Sequence, residues 1–350
     1  MRVIFRADAS ATIGTGHVMR CLALADVLHD RGGQMSFVCR TATGDLTGLI
    51  EQRGYDVTRL PISSVATEES DAVQTIKAVE RLGRTDWIVV DHYGLGKPWE
   101  QHMRATDACM MAIDDFVDRP HDVDLLLDQN LPVPDVERTQ EMTPPKCLTL
   151  QGPHYALLRK EFAKTRTHLR KRDGALKTVL VYYGGSDPEN GTGPTLEALS
   201  NMAGRNFTIE VVVGMSNPRR GAVETLCAGL PQTRFFCQVD TMAEIMARAD
   251  FSFGAGGASS WERCCVGLPT AMTVLSPDQA LVARALHFAG GGINLGPRAK
   301  MTATKLRQVV EELTPARLMQ MEAVCLSITD GAGTNRVADA MAHVAEGKVP

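Results

Sequence analysis

Ile13-Gly14-Thr15-Gly16-His17-Val18-Met19-Arg20 places a histidine where a glycine loop turns into a helix, immediately after the first strand. Upstream, Arg2-Val-Ile-Phe5 is a short apolar run suited to a buried parallel strand. Downstream, Val18, Leu22, Ala25 and Leu28 recur at helical spacing until Gly32-Gly33, and Met35 to Cys39 returns as a second strand. Such a unit aims the carboxyl end of its first strand and the start of its helix at the crevice where open α/β sheets bind ligands. His17 stands at that mouth. The partial positive charge at a helix start disfavours imidazolium, so His17 is expected to accept a proton as a general base. The plainer reading of the same residues is a tight glycine turn that His17 caps.

Two familiar readings of these glycines fail on spacing. A dinucleotide fingerprint needs glycine where Met19 stands and an acidic residue at the end of the next strand, where Cys39-Arg40 stand. A Walker loop needs Gly-Lys-Ser/Thr at the helix start, and Gly16-His17-Val18 lacks both lysine and hydroxyl.

The chain has 350 residues, more than a single core usually serves, so two domains are expected. Hydrophobic residues make up 44% and the net charge is -4, which gives no basic field for nucleic acid or an anionic membrane. The charged start and the lack of a long apolar run imply no leader and no membrane span, with the cytoplasm as the expected location. Nine cysteines and nine histidines are scattered without paired or ligand-like spacing, so neither disulfides, a metal nor another cofactor is expected.

Strand-like runs continue at Trp87 to Val90, Met110 to Ile113, Asp124 to Leu127 and Cys147 to Leu150, several followed by polar residues. Among these, Tyr93 offers a ring and a hydroxyl to a sugar, whereas Asp114-Asp115 reads as a cap or a solvated turn. The crowded charges between Lys160 and Lys177 read as a linker. The pattern then restarts with Thr178 to Tyr183, followed by Gly184-Gly185-Ser186-Asp187-Pro188, and with strands at Thr208 to Val213, Arg234 to Cys237, Asp250 to Phe253 and Thr270 to Leu275. The fold class is therefore α/β, with two doubly wound Rossmann-like domains facing one cleft. The boundaries are 1–165 for an N-terminal domain carrying the base and the sugar contacts, 166–177 for a linker, and 178–350 for a C-terminal nucleotide domain.

Phe253-Gly-Ala-Gly-Gly-Ala-Ser-Ser-Trp-Glu262 runs from a strand end through glycines and hydroxyls into a helix. Free N–H groups at Gly256, Gly257, Ala258 and Ser259 can cradle a diphosphate without a lysine, and Gly185 and Ser186 offer a second such nest. Glu262 falls in the first helical turn, where it can accept from ribose hydroxyls or simply compensate the helix dipole.

Together, Ile13-Gly-x-Gly-His-x-x-Arg20, Val90-Asp-His-Tyr93, Asp124-Leu-Leu-Leu-Asp-Gln-Asn130, Gly152-Pro-x-Tyr-x-Leu-Leu-Arg159, Gly184-Gly-Ser-Asp-Pro188 and Gly254-Ala-Gly-Gly-x-x-x-Trp-Glu-Arg263 resemble the PseG/SpsG family over most of the chain. The resemblance implies a GT-B fold like that of MurG-type glycosyltransferases. It also implies hydrolysis of UDP-2,4-diacetamido-2,4,6-trideoxy-β-L-altropyranose, or of a close N-acyl sugar nucleotide, in pseudaminic-acid-type synthesis. Water would attack the anomeric carbon with inversion and without a metal, His17 acting as base. Gly14, Gly16, Arg20, Tyr93, Asp278 and Gln279 would contact the sugar. Gly185, Ser186, Val239, Gly256, Gly257, Ala258, Ser259 and Glu262 would hold UDP, Val239 lying near uracil. Members of the family commonly carry Asn-Gln where this chain reads Asp278-Gln279. A carboxylate accepts but cannot donate as an amide does, which leaves the sugar's substituents open. The expected partner is the small-molecule UDP-sugar alone. A GT-B glycosyltransferase using a UDP-sugar donor, and a non-catalytic nucleotide-sugar-binding module, are the alternatives.

Overall fold

The computed structural model describes residues 1–10, 13–62, 67–116, 118–133 and 142–347. They fall into two compact units, one drawn from 1–130, 135–159 and 332–350, the other from 131–134 and 160–331.

The first unit is a seven-stranded parallel sheet of β1 (Arg2–Ala7), β2 (Gln34–Arg40), β3 (Asp56–Leu60), β4 (Trp87–Asp91), β5 (Cys109–Ile113), β6 (Leu125–Asp128) and β7 (Leu148–Gln151), in the order β3-β2-β1-β4-β5-β6-β7. The apolar runs of β1 and β4 are buried on both faces, as helices covering both sides of a parallel sheet require. One face packs Val18, Leu22 and Ala25 of helix Gly16–Asp30 against Phe5, Phe37 and Val89. The other packs Trp99 and Met103 of helix Lys97–Met103 against Ile4, Ile88 and Met110. Chain order reverses between β1 and β4, whose carboxyl ends pair Ala7 with Asp91. A doubly wound sheet binds ligands at that switch point.

The second unit is a six-stranded parallel sheet of β8 (Thr178–Tyr182), β9 (Thr208–Val213), β10 (Thr233–Cys237), β11 (Phe251–Ala255), β12 (Thr270–Val274) and β13 (Gly292–Pro297), ordered β10-β9-β8-β11-β12-β13. Its switch point lies between β8 and β11, which send out Gly184–Asp187 and Gly256–Ala258. Both glycine-rich loops thus occupy the ligand-binding end of this sheet.

Three features were not readable in advance. The edge strands β3 and β13 carry weak patterns: β3 is half exposed, and β13 holds two glycines beside a register shift at Met272/Thr273. The basic run at 160–177, most of whose lysines and arginines face solvent, is docked by two arginines. Arg172, 6% exposed, donates to the carbonyls of Ala247, Ala249, Val266 and Gly267, and Arg166 donates to those of Cys265, Leu326 and Thr329. Helix Gly333–Ala345 belongs to the first unit, where Val337, Ala338 and Met341 enter its core. Among the described residues no helix is long and apolar enough to cross a membrane.

Candidate functional site

At the first switch point, Gly14 with φ +84° turns the chain out of β1 in a conformation that favours glycine, and the helix begins at Gly16. A Cβ at Gly14 or at Gly16 would meet nothing within 4 Å, so this turn borders open space. His17, 7% exposed, points inward, its Nδ1 lying 2.6 Å from Asp91 Oδ1. Asp91 ends the apolar run of β4 and is fully buried. Arg20, one turn along the helix from His17, donates from Nε to Asp91 Oδ2 at 2.6 Å and from Nη2 to Asp91 Oδ1 at 2.7 Å. Burial opposes ionisation of Asp91, yet Arg20 and His17 beside it hold the carboxyl well below the usual carboxylate range.

An ionised carboxylate only accepts, so the His17 nitrogen facing it carries a proton, and in the neutral ring Nε2 is the nitrogen with the lone pair. That arrangement orients a general base as the carboxylate of a catalytic triad orients its histidine. Arg20 further donates from Nη1 to both oxygens of Asp115, at 3.0 and 2.8 Å. Asp115 also accepts from Tyr93 Oη at 2.6 Å and Asn130 Nδ2 at 2.9 Å. The Tyr93 ring stands edge-on to His17 with centroids 4.6 Å apart. The structure thus gathers His17, Arg20 and Tyr93 into one network. Its added members are Asp91 and Asp115, each following a buried apolar strand. An acidic residue ending such a run was the available signal.

A second buried network adjoins it. Arg6 binds Asp8 and Asp71, Arg40 Nη2 reaches Asp71 at 2.6 Å, and His92 Nε2 lies 3.4 Å from Asp8. Burial, with Arg6 nearby, pushes His92 down to about 4, so it is neutral near pH 7.

In the second unit the amides of Gly257, Ala258 and Ser259 donate to no acceptor among the described residues. Beneath them Arg263, 1% exposed, gives Nη2 to Ala255 O at 2.7 Å and to Ser260 Oγ at 3.0 Å, while Nε and Nη1 lack partners. Burial pulls this guanidinium below its ordinary pKa. Gln279 braces the loop: its Oε1 accepts from Leu275 N at 3.0 Å, and Nε2 lies 3.6 Å from where a Gly257 Cβ would be. Asp278 sits beside it in the first turn of helix Pro277–Ala289, and Glu262 in that of helix Ser259–Cys265. On the neighbouring strand, Gly185 O accepts from Gly214 N at 2.9 Å, and Ser186 is partly exposed. Asp187 caps the following helix through the amides of Gly191 and Thr192. Val239 follows β10, two strands from β8. No group of three or more metal-ligating side chains occurs among the described residues.

The fold these two units define is that of the GT-B class. Acinetobacter baumannii MurG matches with a TM-score of 0.67 at 16% identity, over 97% of this chain and 99% of that one. Spinosyn rhamnosyltransferase SpnG, bound to its aglycone, matches with a TM-score of 0.64 at 16% identity, over 97% and 100%. In sequence the chain is related to the UDP-2,4-diacetamido-2,4,6-trideoxy-β-L-altropyranose hydrolase of Campylobacter jejuni, with 27% identity over 247 residues, 70% of this chain and 81% of the relative. The spore coat polysaccharide biosynthesis protein SpsG of Bacillus subtilis is 29% identical over 148 residues, 42% of this chain and 43% of that one. An uncharacterized protein of Methanocaldococcus jannaschii is 25% identical over 279 residues, 77% of this chain, which spans about half (54%) of that relative's length. No protein-family model matches.

Proposed function

We propose that this chain cleaves a UDP-sugar at the anomeric carbon, using an O–H nucleophile that His17 deprotonates. The observation that carries the reading is the His17–Asp91 contact at 2.6 Å, which directs the Nε2 lone pair away from the carboxylate and toward a nucleophile. The proton passes to Nε2, the oxygen attacks the anomeric carbon, and the bond to the diphosphate oxygen breaks with inversion. UDP leaves as an anion. The amides of Gly257, Ala258 and Ser259, with the buried Arg263 guanidinium held against Ala255 and Ser260 on either side of the same loop, would meet the charge that develops on it. In this reading Gly185 and Ser186 add to the diphosphate site, Gly256 lets the loop approach, Glu262 takes the ribose and Val239 lies near uracil. The sugar contacts in this reading are Gly14, Gly16 and Tyr93 from the first unit and Asp278 and Gln279 from the second. Arg20 acts by ordering Asp91 and Asp115.

The acceptor distinguishes two enzymes. A hydroxyl of a second molecule makes the chain a glycosyltransferase, the reading that draws the broader support, since its solved fold neighbours include a rhamnosyltransferase. Water makes it a hydrolase, supported by the Campylobacter jejuni relative. Incubation with sugar nucleotide alone in ¹⁸O-labelled water separates them. A hydrolase releases UDP and puts the label in the free sugar; a transferase needs an added acceptor. Label in UDP would mean attack at phosphorus and remove His17 from the mechanism. Under either acceptor, His17→Ala is expected to slow UDP release by roughly 10²- to 10⁴-fold. UDP should still bind, because the nucleotide residues belong to the other unit. Normal turnover by the folded variant would refute the base assignment.

A further inference from the structure

One buried side chain outside this centre is gripped by carboxylates on both sides. His121, 2% exposed, lies with Nδ1 2.6 Å from Glu100 Oε1 and Nε2 2.9 Å from Asp114 Oδ2. Both partners are acceptors, so both ring nitrogens carry protons and the ring is an imidazolium. Burial opposes that charge, but the hydrogen bonds the ring donates to Asp114 and Glu100 outweigh it and raise His121 to about 9.

The surroundings are closed and polar. Glu100, fully buried on helix Lys97–Met103, takes the Asp122 amide on its other oxygen at 2.6 Å. Asp114, also fully buried, accepts the Phe116 amide at 3.1 Å, and Arg119 Nε stands 3.5 Å from its Oδ2. The Asp122 carboxylate turns away to Arg104 at 3.2 Å. The His121 amide donates to Met142 O at 2.7 Å.

This cluster is joined to the reaction centre by covalent and hydrogen bonds. Asp114 immediately precedes Asp115, which holds Arg20 and Tyr93. Arg119, on the same segment, donates to the backbone carbonyls of Tyr93 and His92. We propose that His121 is a positioning residue for His17: its imidazolium fixes the Asp114–Phe116 turn and, through Asp115, Arg20 and Asp91, the orientation of the base. When the proton leaves to solvent, one ring nitrogen presents a lone pair to a carboxylate oxygen. Two buried carboxylates then face a neutral ring, and one must turn aside. A turn at Asp114 displaces Asp115 and loosens the hold on Arg20 and Tyr93. The site is disarmed at alkaline pH by a group that touches no substrate.

The functional consequence rests on the reading of His17 as the base, so the test has one readout that needs no turnover. The intact chain, ¹⁵N-labelled at histidine, is titrated by NMR from about pH 6 to about pH 11, alongside the rate of UDP release from a UDP-sugar. His121 should lose its proton once, near pH 9, and the His17 signals should shift with the same midpoint. In His121→Gln that shift of His17 should vanish. Turnover of the native chain should fall about tenfold per pH unit above the midpoint. In the variant it should be lower by up to about 10²-fold and flat with pH, the loss lying in kcat more than in KM. His17 signals that ignore the titration of His121 overturn the proposal, as does an alkaline limb that persists in the variant. If the variant does not fold, the coupled titration in the native chain decides. Coupled shifts without UDP release from any sugar nucleotide would uphold the coupling and reject the functional reading instead.

Discussion

Asp91 receives Arg20 Nε, Arg20 Nη2 and His17 Nδ1, with the weaker Cys21 thiol at 3.7 Å, and no neutral side chain of its size can do the same. Asp91→Asn keeps the shape but brings an NH₂ against one of those donors and leaves Arg20 short of a counter-charge. The variant is expected to lose roughly 10²- to 10⁴-fold in turnover through misorientation of His17. Breaking a buried pair should also cost about 3–5 kcal/mol of stability. Steady-state kinetics and urea unfolding on the same preparation check both. A stable variant with normal turnover would show that His17 needs no orienting carboxylate. His17 itself was legible as a candidate because glycine spacing and helix onset are local. Asp91 was less so, since an aspartate ending a strand serves turns as readily as sites, and only its burial and its partners distinguish the roles.

At the scale of elements, the segment after β5 and helix Lys97–Met103 are clamped by a charge whose presence depends on pH. His121 in the folded chain stands at about 9, above the ordinary histidine value of 6.5. A group raised on folding stabilises fully below its unfolded value and loses that contribution as pH rises through the folded value. The clamp is therefore complete below about pH 6.5 and gone above about pH 9, a change on the order of 3 kcal/mol. Urea unfolding of the native chain and of His121→Gln at about pH 6 and about pH 9.5 should show their stabilities converging at the higher pH. A constant gap would mean that His121 packs without contributing charge. The same segment decides between the two readings of Asp114-Asp115, a cap or a solvated turn: Asp114 caps the Phe116 amide and is fully buried against His121. Adjacent aspartates after a strand look alike in sequence whether they meet water or a buried cation.

At the scale of the whole molecule, the chain returns to its first unit at its end. Gly333 starts the returning helix so close to the backbone that an added Cβ would lie 2.4 Å from Ala156 O. Gly333→Ala must lift the helix away from Val18, Leu22 and the rest of the first core, at a cost of about 1–3 kcal/mol. Hydrogen exchange should show lost protection in helices Gly16–Asp30 and Gly333–Ala345 and none in helix Arg220–Ala228 of the second unit. Equal loss in both units would mean that they unfold together. Amphipathic spacing in residues 333–345 marks a helix, but nothing local says which sheet it covers.

The sequence by itself determined the α/β class, the parallel strands of both sheets except the edges β3 and β13, and the two glycine turns at their carboxyl ends. These follow from apolar runs, helical periodicity and glycine placement, whose reach is a few residues. Only the tertiary structure decided what His17 leans on. Its carboxylate is 74 positions away in the chain, and the Arg20 link to Asp115 spans 95. It also decided that the basic run after Lys160 staples the second unit through backbone carbonyls. A buried charge takes its meaning from the partner that neutralises it, and strand order, not sequence distance, chooses that partner.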